Sequence, residues 1–127
     1  MSSLQYLNYE RAGRLGSGQM PYSRAMPIGD RIECAGQGGW DSETNAFKNV
    51  DLALEASGGK GWEQVFRVNS YHLLFDDVAS EATRRNFEQW LPNHKPISSC
   101  IGVAQLGDPK MRVEIEVQAY DPKRYAR

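Results

Sequence analysis

The stretch from Met111 to Ala119, MRVEIEVQA, constrains this chain more than any other. Met111, Val113, Ile115, Val117 and Ala119 alternate strictly with Arg112, Glu114, Glu116 and Gln118. Successive side chains of an extended backbone point to opposite faces, so the pattern specifies a strand with one face in a core and the other polar. The run from Ser98 to Leu106 is apolar enough for a second strand, and Gly107 to Lys110 between them (GDPK) carries turn chemistry. An antiparallel hairpin across Pro96 to Ala119 is therefore expected. Ser98, Cys100, Gly102, Ala104 and Leu106 would share one of its faces, and Ser99, Ile101, Val103 and Gln105 the other. If the polar sides coincide, Ser98, Cys100 and Glu114 line one cleft; alternation alone leaves that register open.

Upstream, residues 1–20 hold Tyr6, Leu7, Tyr9 and Leu15 among glycines and polar residues without a sustained period, and read as an irregular arm. Gly16 to Gln19 (GSGQ) lacks the Lys and Ser/Thr of a phosphate loop and follows no clear strand, so it reads as a flexible loop. SRAMPIGDRIECA predicts a hairpin: a strand to Ile28, a turn at Gly29 and Asp30, and a strand from Arg31 to Ala35. Gly36, Gly38 and Gly39 end it, where close backbone approach and simple turn geometry explain glycine equally well. A helix is expected soon after Trp40, with Asp41, Ser42 or Thr44 as cap, running to about Ser57 before Gly58 and Gly59 stop it. Its apolar face is Ala46, Phe47, Val50, Ala53 and Leu54. Val65 to Phe75 is rich in β-formers and reads as a central strand, with His72 on the side of Val68 and Ser70, and Arg67, Asn69 and Tyr71 on the other. A second amphipathic helix from Ser80 to Leu91 is ended by Pro92 and Asn93.

The expected order is strand, strand, helix, strand, helix, strand, strand: an α+β chain with two helices on one face of a mixed sheet. One domain over residues 21–120 follows, with the arm before it and a basic tail at residues 121–127. The opposite sheet face would be covered by a partner subunit.

Fifteen basic and sixteen acidic residues leave a net charge of −1, so no whole-chain field draws nucleic acid or an anionic membrane. No apolar run spans a bilayer and the first twenty residues lack a signal-peptide core, which makes a cytosolic protein the expectation. Cys34 and Cys100 are then free thiols. With His72 and His94 as the two histidines and no paired Cys or His motif, no metal is expected.

Three segments, taken in order, resemble a known family: PYSRAMPIGDRIECAGQ, then KNVDLALEASG in the first helix, then the SSC, VAQL and RVEIEVQA runs near the end. Together they are similar to the reactive-intermediate deaminase (Rid, or YjgF-type) family, over Pro21 to Ala119. The resemblance implies a chorismate-mutase-like fold, a homotrimer whose sheets form a central barrel, and small-metabolite clefts between subunits. It also implies hydrolysis of enamines or imines such as 2-aminoacrylate to 2-oxo acids and ammonia, with no metal or organic cofactor. Some relatives carry older names as translation inhibitors or endoribonucleases. Position by position, the family's catalytic glutamate falls on Glu114, and cleft-lining positions fall on Tyr22, Gly36, Ser98 and Cys100.

Ser98 stands where the resemblance implies a carboxylate-binding arginine, and a hydroxyl cannot replace a two-pronged cation. Arg67 or Arg112 would have to substitute from elsewhere. The segment between Trp40 and Phe47 is also shorter than the family's by roughly a dozen residues.

For Glu114, catalytic carboxylate and solvated strand charge stand side by side. Cys100 reads as a cleft-lining or core residue rather than a nucleophile, because no activating base or cation is evident beside it. Ser98 reads as a pocket hydrogen-bonder, since no His and Asp accompany it. His72 reads as a buried, hydrogen-bonded histidine. Three functions follow: a trimeric imine or enamine deaminase, a non-catalytic trimer that sequesters a metabolite, and RNA cleavage. The neutral charge and the want of a His-based acid/base pair put RNA cleavage last.

Overall fold

A computed structural model describes residue 4 and residues 22–39 and 43–122. The irregular arm, the GSGQ loop, the candidate caps Asp41 and Ser42 and the last five residues lie outside these. In chain order the elements are β1 Ala25–Ile28, β2 Arg31–Gly39, α1 Glu43–Ala56, a 3-10 turn at Gly61–Gln64, β3 Val65–His72, α2 Asp77–Trp90, β4 Ile97–Gly102 and β5 Val113–Tyr120. They form one five-stranded mixed sheet in the order β1-β2-β5-β3-β4.

The alternating stretch is β5, at the centre of the sheet. Val113, Ile115, Val117 and Ala119 are buried while Glu114, Glu116 and Gln118 are half-exposed. Its neighbours are β2 and β3, both antiparallel to it. The expected β4–β5 hairpin is therefore not formed: β3 lies between them, and β4 runs parallel to β3. The cause is topological. β3, α2 and β4 form a crossover, and a helix between two strands returns the second one parallel to the first. The GDPK turn does form, with Met111 N–H donating to the Asp108 carbonyl at 3.0 Å and Lys110 N–H to Asp108 Oδ1 at 2.8 Å, but it lies in a longer link between strands that do not touch.

β2 also continues past Ala35. A register shift between Cys34 and Gln37 lets it keep pairing with β5, so Gln37, Gly38 and Gly39 face Ile115, Glu114 and Val113. β3 and β4 end earlier than expected, at His72 and Gly102. α2 begins three residues before Ser80, because Asp76 caps it by accepting from Ala79 N–H at 2.9 Å.

The expected face of α1, Ala46, Phe47, Val50, Ala53 and Leu54, is buried with Ile32, Val68, Ile115, Val117 and Ala119 of the sheet. Phe47 stacks on Trp62 at 4.8 Å between ring centroids, and the indole N–H donates to the Phe47 carbonyl at 2.9 Å. Phe87 meets the same ring edge-on and ties α2 to α1. Both helices thus lie on one side, and the opposite face carries Glu33, Asn69, Tyr71, Glu114, Glu116 and Gln118. No helix among the described residues is long and apolar enough to cross a membrane.

Candidate functional site

Glu114 projects from β5 on the polar face, over the backbone of β2 at Gly36. A Cβ at position 36 would lie 2.0 Å from Glu114 Oε2 and 2.6 Å from its Cδ, so glycine is what leaves room for the carboxylate. Burial raises the Glu114 pKa, the neighbouring Glu116 carboxylate adds to the rise, and the charge of Arg24 opposes both. Arg24 is itself buried, and its guanidinium carbon stands 5.9 Å from the ring centroid of the half-exposed Tyr22. Tyr22, Gly36 and Glu114 are in this way gathered around Arg24 on one side of the molecule.

Glu116, next along the same face, is held by β3. Asn69 Nδ2 donates to its Oε1 at 3.2 Å and the Tyr71 hydroxyl donates to the same oxygen. That hydrogen bond, with burial, pushes the Tyr71 phenol up to about 12. Further along the same face, Gln118 donates to both carboxylate oxygens of Glu33 at 3.0 Å.

Ser98 and Cys100 lie on the other face. In the ladder Ser98 pairs with Val68 and Cys100 with Ser70, while Val68 and Ser70 pair with the core residues Val117 and Ile115. Glu114 pairs with Tyr71, whose β4 neighbour is Ile101. Paired residues point the same way, so within one chain Ser98 and Cys100 do not share a cleft with Glu114.

Cys100 is exposed and receives a hydrogen bond from Ser70 Oγ at 3.3 Å, and Ser70 Oγ lies 3.0 Å from Nε2 of the buried His72. Burial lowers the His72 pKa, which keeps the imidazole neutral at neutral pH. The sequence reading of His72 as a buried, hydrogen-bonded residue fits this geometry. In contrast, Cys34 is buried, and desolvation pushes its thiol up to about 12.

Beside Cys100 a cleft of about 760 Å³ opens between α2 and β4. Phe75, Phe87 and Leu91 give it an apolar lining, Ser98 and Cys100 stand on its β4 wall, and Arg84 stands on its α2 wall. Neither substitute cation expected from the sequence lines this cleft. Arg67 borders a separate hollow with Glu33, Asn69 and Glu116 on the polar face, and Arg112 is exposed in the link before β5. Sequence reasoning missed Arg84 and Lys95, which do line it. Charges spaced three and four apart on a helix read as a solvated face, and only the crossover brings this one against β4. Arg24 was missed too, although it lies in the same early segment as Tyr22. Among the described residues no group of three or more His, Cys, Asp or Glu side chains is placed to hold a metal ion.

This is an α+β sandwich of two helices on a five-stranded mixed sheet, with carboxylate chemistry on the open face and a thiol-lined cleft on the helix face. The family profile described as endoribonuclease L-PSP matches residues 16–121, and the chain belongs to that family, the YjgF or Rid proteins. A relative from Dermatophagoides farinae named 2-iminobutanoate/2-iminopropanoate deaminase is 34% identical over an alignment of 110 residues, and the match covers 76% of this chain and 82% of that protein. Among solved structures, the chain is similar to a YjgF/YER057c/UK114 family member of Mycobacterium tuberculosis, with a TM-score of 0.78, 25% identity, and coverage of 93% of this chain and 99% of the other. It is also similar to RidA of an Antarctic Psychrobacter, with a TM-score of 0.70, 25% identity, and coverage of 80% and 89%.

Proposed function

We propose that this protein hydrolyses reactive imines or enamines to carbonyl compounds and ammonia, at sites completed between the subunits of a homotrimer, in the cytosol. The observation that carries the reading is the placement of Glu114: a half-buried carboxylate of raised pKa, seated against Gly36 and backed by Arg24, in a chain related to a named imine deaminase. In the reaction, water adds to the carbon of the C=N bond. Glu114 takes the proton that the water loses and passes it to the nitrogen, giving a carbinolamine. The hydroxyl proton then moves by the same carboxylate to the nitrogen as the C=O bond forms, the C–N bond breaks and ammonia leaves, and an enamine enters as its imine tautomer. Only water is consumed. The trimer belongs to the proposal because Ser98 and Cys100 face away from Glu114 within one chain, so a site that uses all three takes them from two chains.

A second reading is a trimer that binds a metabolite without turning it over. Ser98 favours it, since a serine cannot grip a substrate carboxylate as an arginine would.

The test is pyruvate release from freshly generated 2-aminoacrylate or 2-iminopropanoate, with Glu114→Gln as control. Turnover lost in the control supports the deaminase. Wild-type release no faster than the control removes this substrate and leaves the binding reading.

A further inference from the structure

The fold treats the two glutamates of the polar face differently. Among the described residues nothing donates a hydrogen bond to the Glu114 carboxylate, whereas Glu116 accepts two, from Asn69 Nδ2 at 3.2 Å and from the Tyr71 hydroxyl. Both donors reach the same oxygen, Oε1, from the neighbouring strand β3. In the ladder Asn69 pairs with Glu116 but Tyr71 pairs with Glu114, so the phenol passes diagonally by one carboxylate to bind the other. An amide and a phenol fix a carboxylate without neutralising it, and no ion pair among the described residues involves Glu116.

The charge of Glu116 therefore stands unpaired on the same face as Glu114, about 7 Å along β5 and within the screening length of physiological salt. Repulsion alone would not keep it there, because the hollow that Glu116 shares with Arg67 offers a cation to turn towards. The two tethers hold it instead. Besides Tyr71 and Glu116, the titratable and charged groups on this side are Tyr22 and Arg24 before β1, Glu33 of β2, Arg67 of β3 and Arg112 just before β5. Burial and the Glu116 charge raise the Glu114 pKa, and Arg24 opposes them.

We propose that Glu116, tethered by Asn69 and Tyr71, is a positioning residue of imine hydrolysis: its fixed negative charge makes Glu114 a better acceptor for the proton that water loses. This deepens the deaminase reading and rests on it for its role in turnover. A carboxylate of ordinary strength is a weak base near neutral pH, and a fixed like charge beside it narrows the mismatch.

The test is an NMR titration of the Glu114 carboxyl carbon in the full-length protein, its signal identified by its loss in Glu114→Gln. It is run beside kcat/KM against pH for pyruvate release from 2-iminopropanoate. Glu116→Gln keeps an acceptor oxygen for both donors and removes only the charge. It should move the Glu114 titration, and with it the acidic limb of kcat/KM, to lower pH, while the plateau falls roughly three-fold because the base is weaker. Tyr71→Phe cuts one tether and should shift both the same way by less, and it carries the test if Glu116→Gln does not fold. Glu33→Gln, opposite Gln118 and further along the face, should move neither. A Glu114 titration unmoved by Glu116→Gln, or moved as far by Glu33→Gln, would overturn the proposal, as would an acidic limb that stays in place while the titration moves. A shifted titration in a protein that turns over no imine would sink the deaminase reading and leave the coupling of the two glutamates standing.

Discussion

At the residue scale, the relation between Gly36 and Glu114 separates function from stability. A methyl group at position 36 would collide with the end of a flexible side chain rather than with backbone, so the fold can absorb it by swinging the carboxylate away. Gly36→Ala is expected to leave the urea midpoint within about 0.5 kcal/mol of wild type while lowering imine turnover about 100-fold, the cost of a reacting group displaced by an ångström or so. Equal loss of stability and turnover would mean the glycine serves the strand alone. Glu114→Gln should cost roughly 100- to 10,000-fold in turnover. It should not destabilise at neutral pH: a carboxyl whose native pKa is raised contributes most below its unfolded value of 4.5 and loses that contribution as pH rises through the native one, so an uncharged amide relieves a penalty. The glutamate was legible from alternation and resemblance. Gly36 was legible as a cleft-lining position from the resemblance, but that it lies beneath Glu114 was not, because a bulge in β2 sets which residue faces the carboxylate.

At the element scale, α2 decides where the cleft lies. Asp76 fixes its first turn, and Asp76→Ala should lower stability by about 1 kcal/mol, read as a shift in the denaturation midpoint at unchanged slope. The amphipathic period of this helix was plain in the sequence, but its role as the arm of a β-α-β crossover was not. Turn residues before β5 suggested a hairpin, and turn chemistry is local: it shows that the chain bends, not which strands pair after the bend. The partner of β4 was settled instead by the return of the chain over α2, which lays β4 parallel to β3, a constraint involving three elements at once.

At the scale of the whole molecule, the proposal that the site is shared between chains makes a complementation test decisive. Chains carrying Glu114→Gln and chains carrying Ser98→Trp should each be inactive alone, yet recover part of the activity when unfolded together and reassembled, because some mixed sites contain neither lesion. Sedimentation should give three times the 14.3 kDa chain mass, and no recovery in a proven trimer would place the site within one chain. Acid sensitivity is also a global property. His72 has a native pKa below its unfolded value of 6.5, so its contribution is present above that value and falls as pH drops from it through the native pKa. Urea midpoints measured from about pH 7.5 down to about 5.5 should fall more steeply for wild type than for His72→Gln. What the sequence determined by itself was everything periodic: the strands and helices, the buried face of α1, the α+β class and the family. Periodicity assigns each side chain to a face of its own element because it depends only on neighbours along the chain. Which faces meet depends on pairing between distant segments, so only the tertiary structure could decide that Glu114 and Cys100 lie on opposite sides of one sheet and that Arg84 shares a cleft with Ser98.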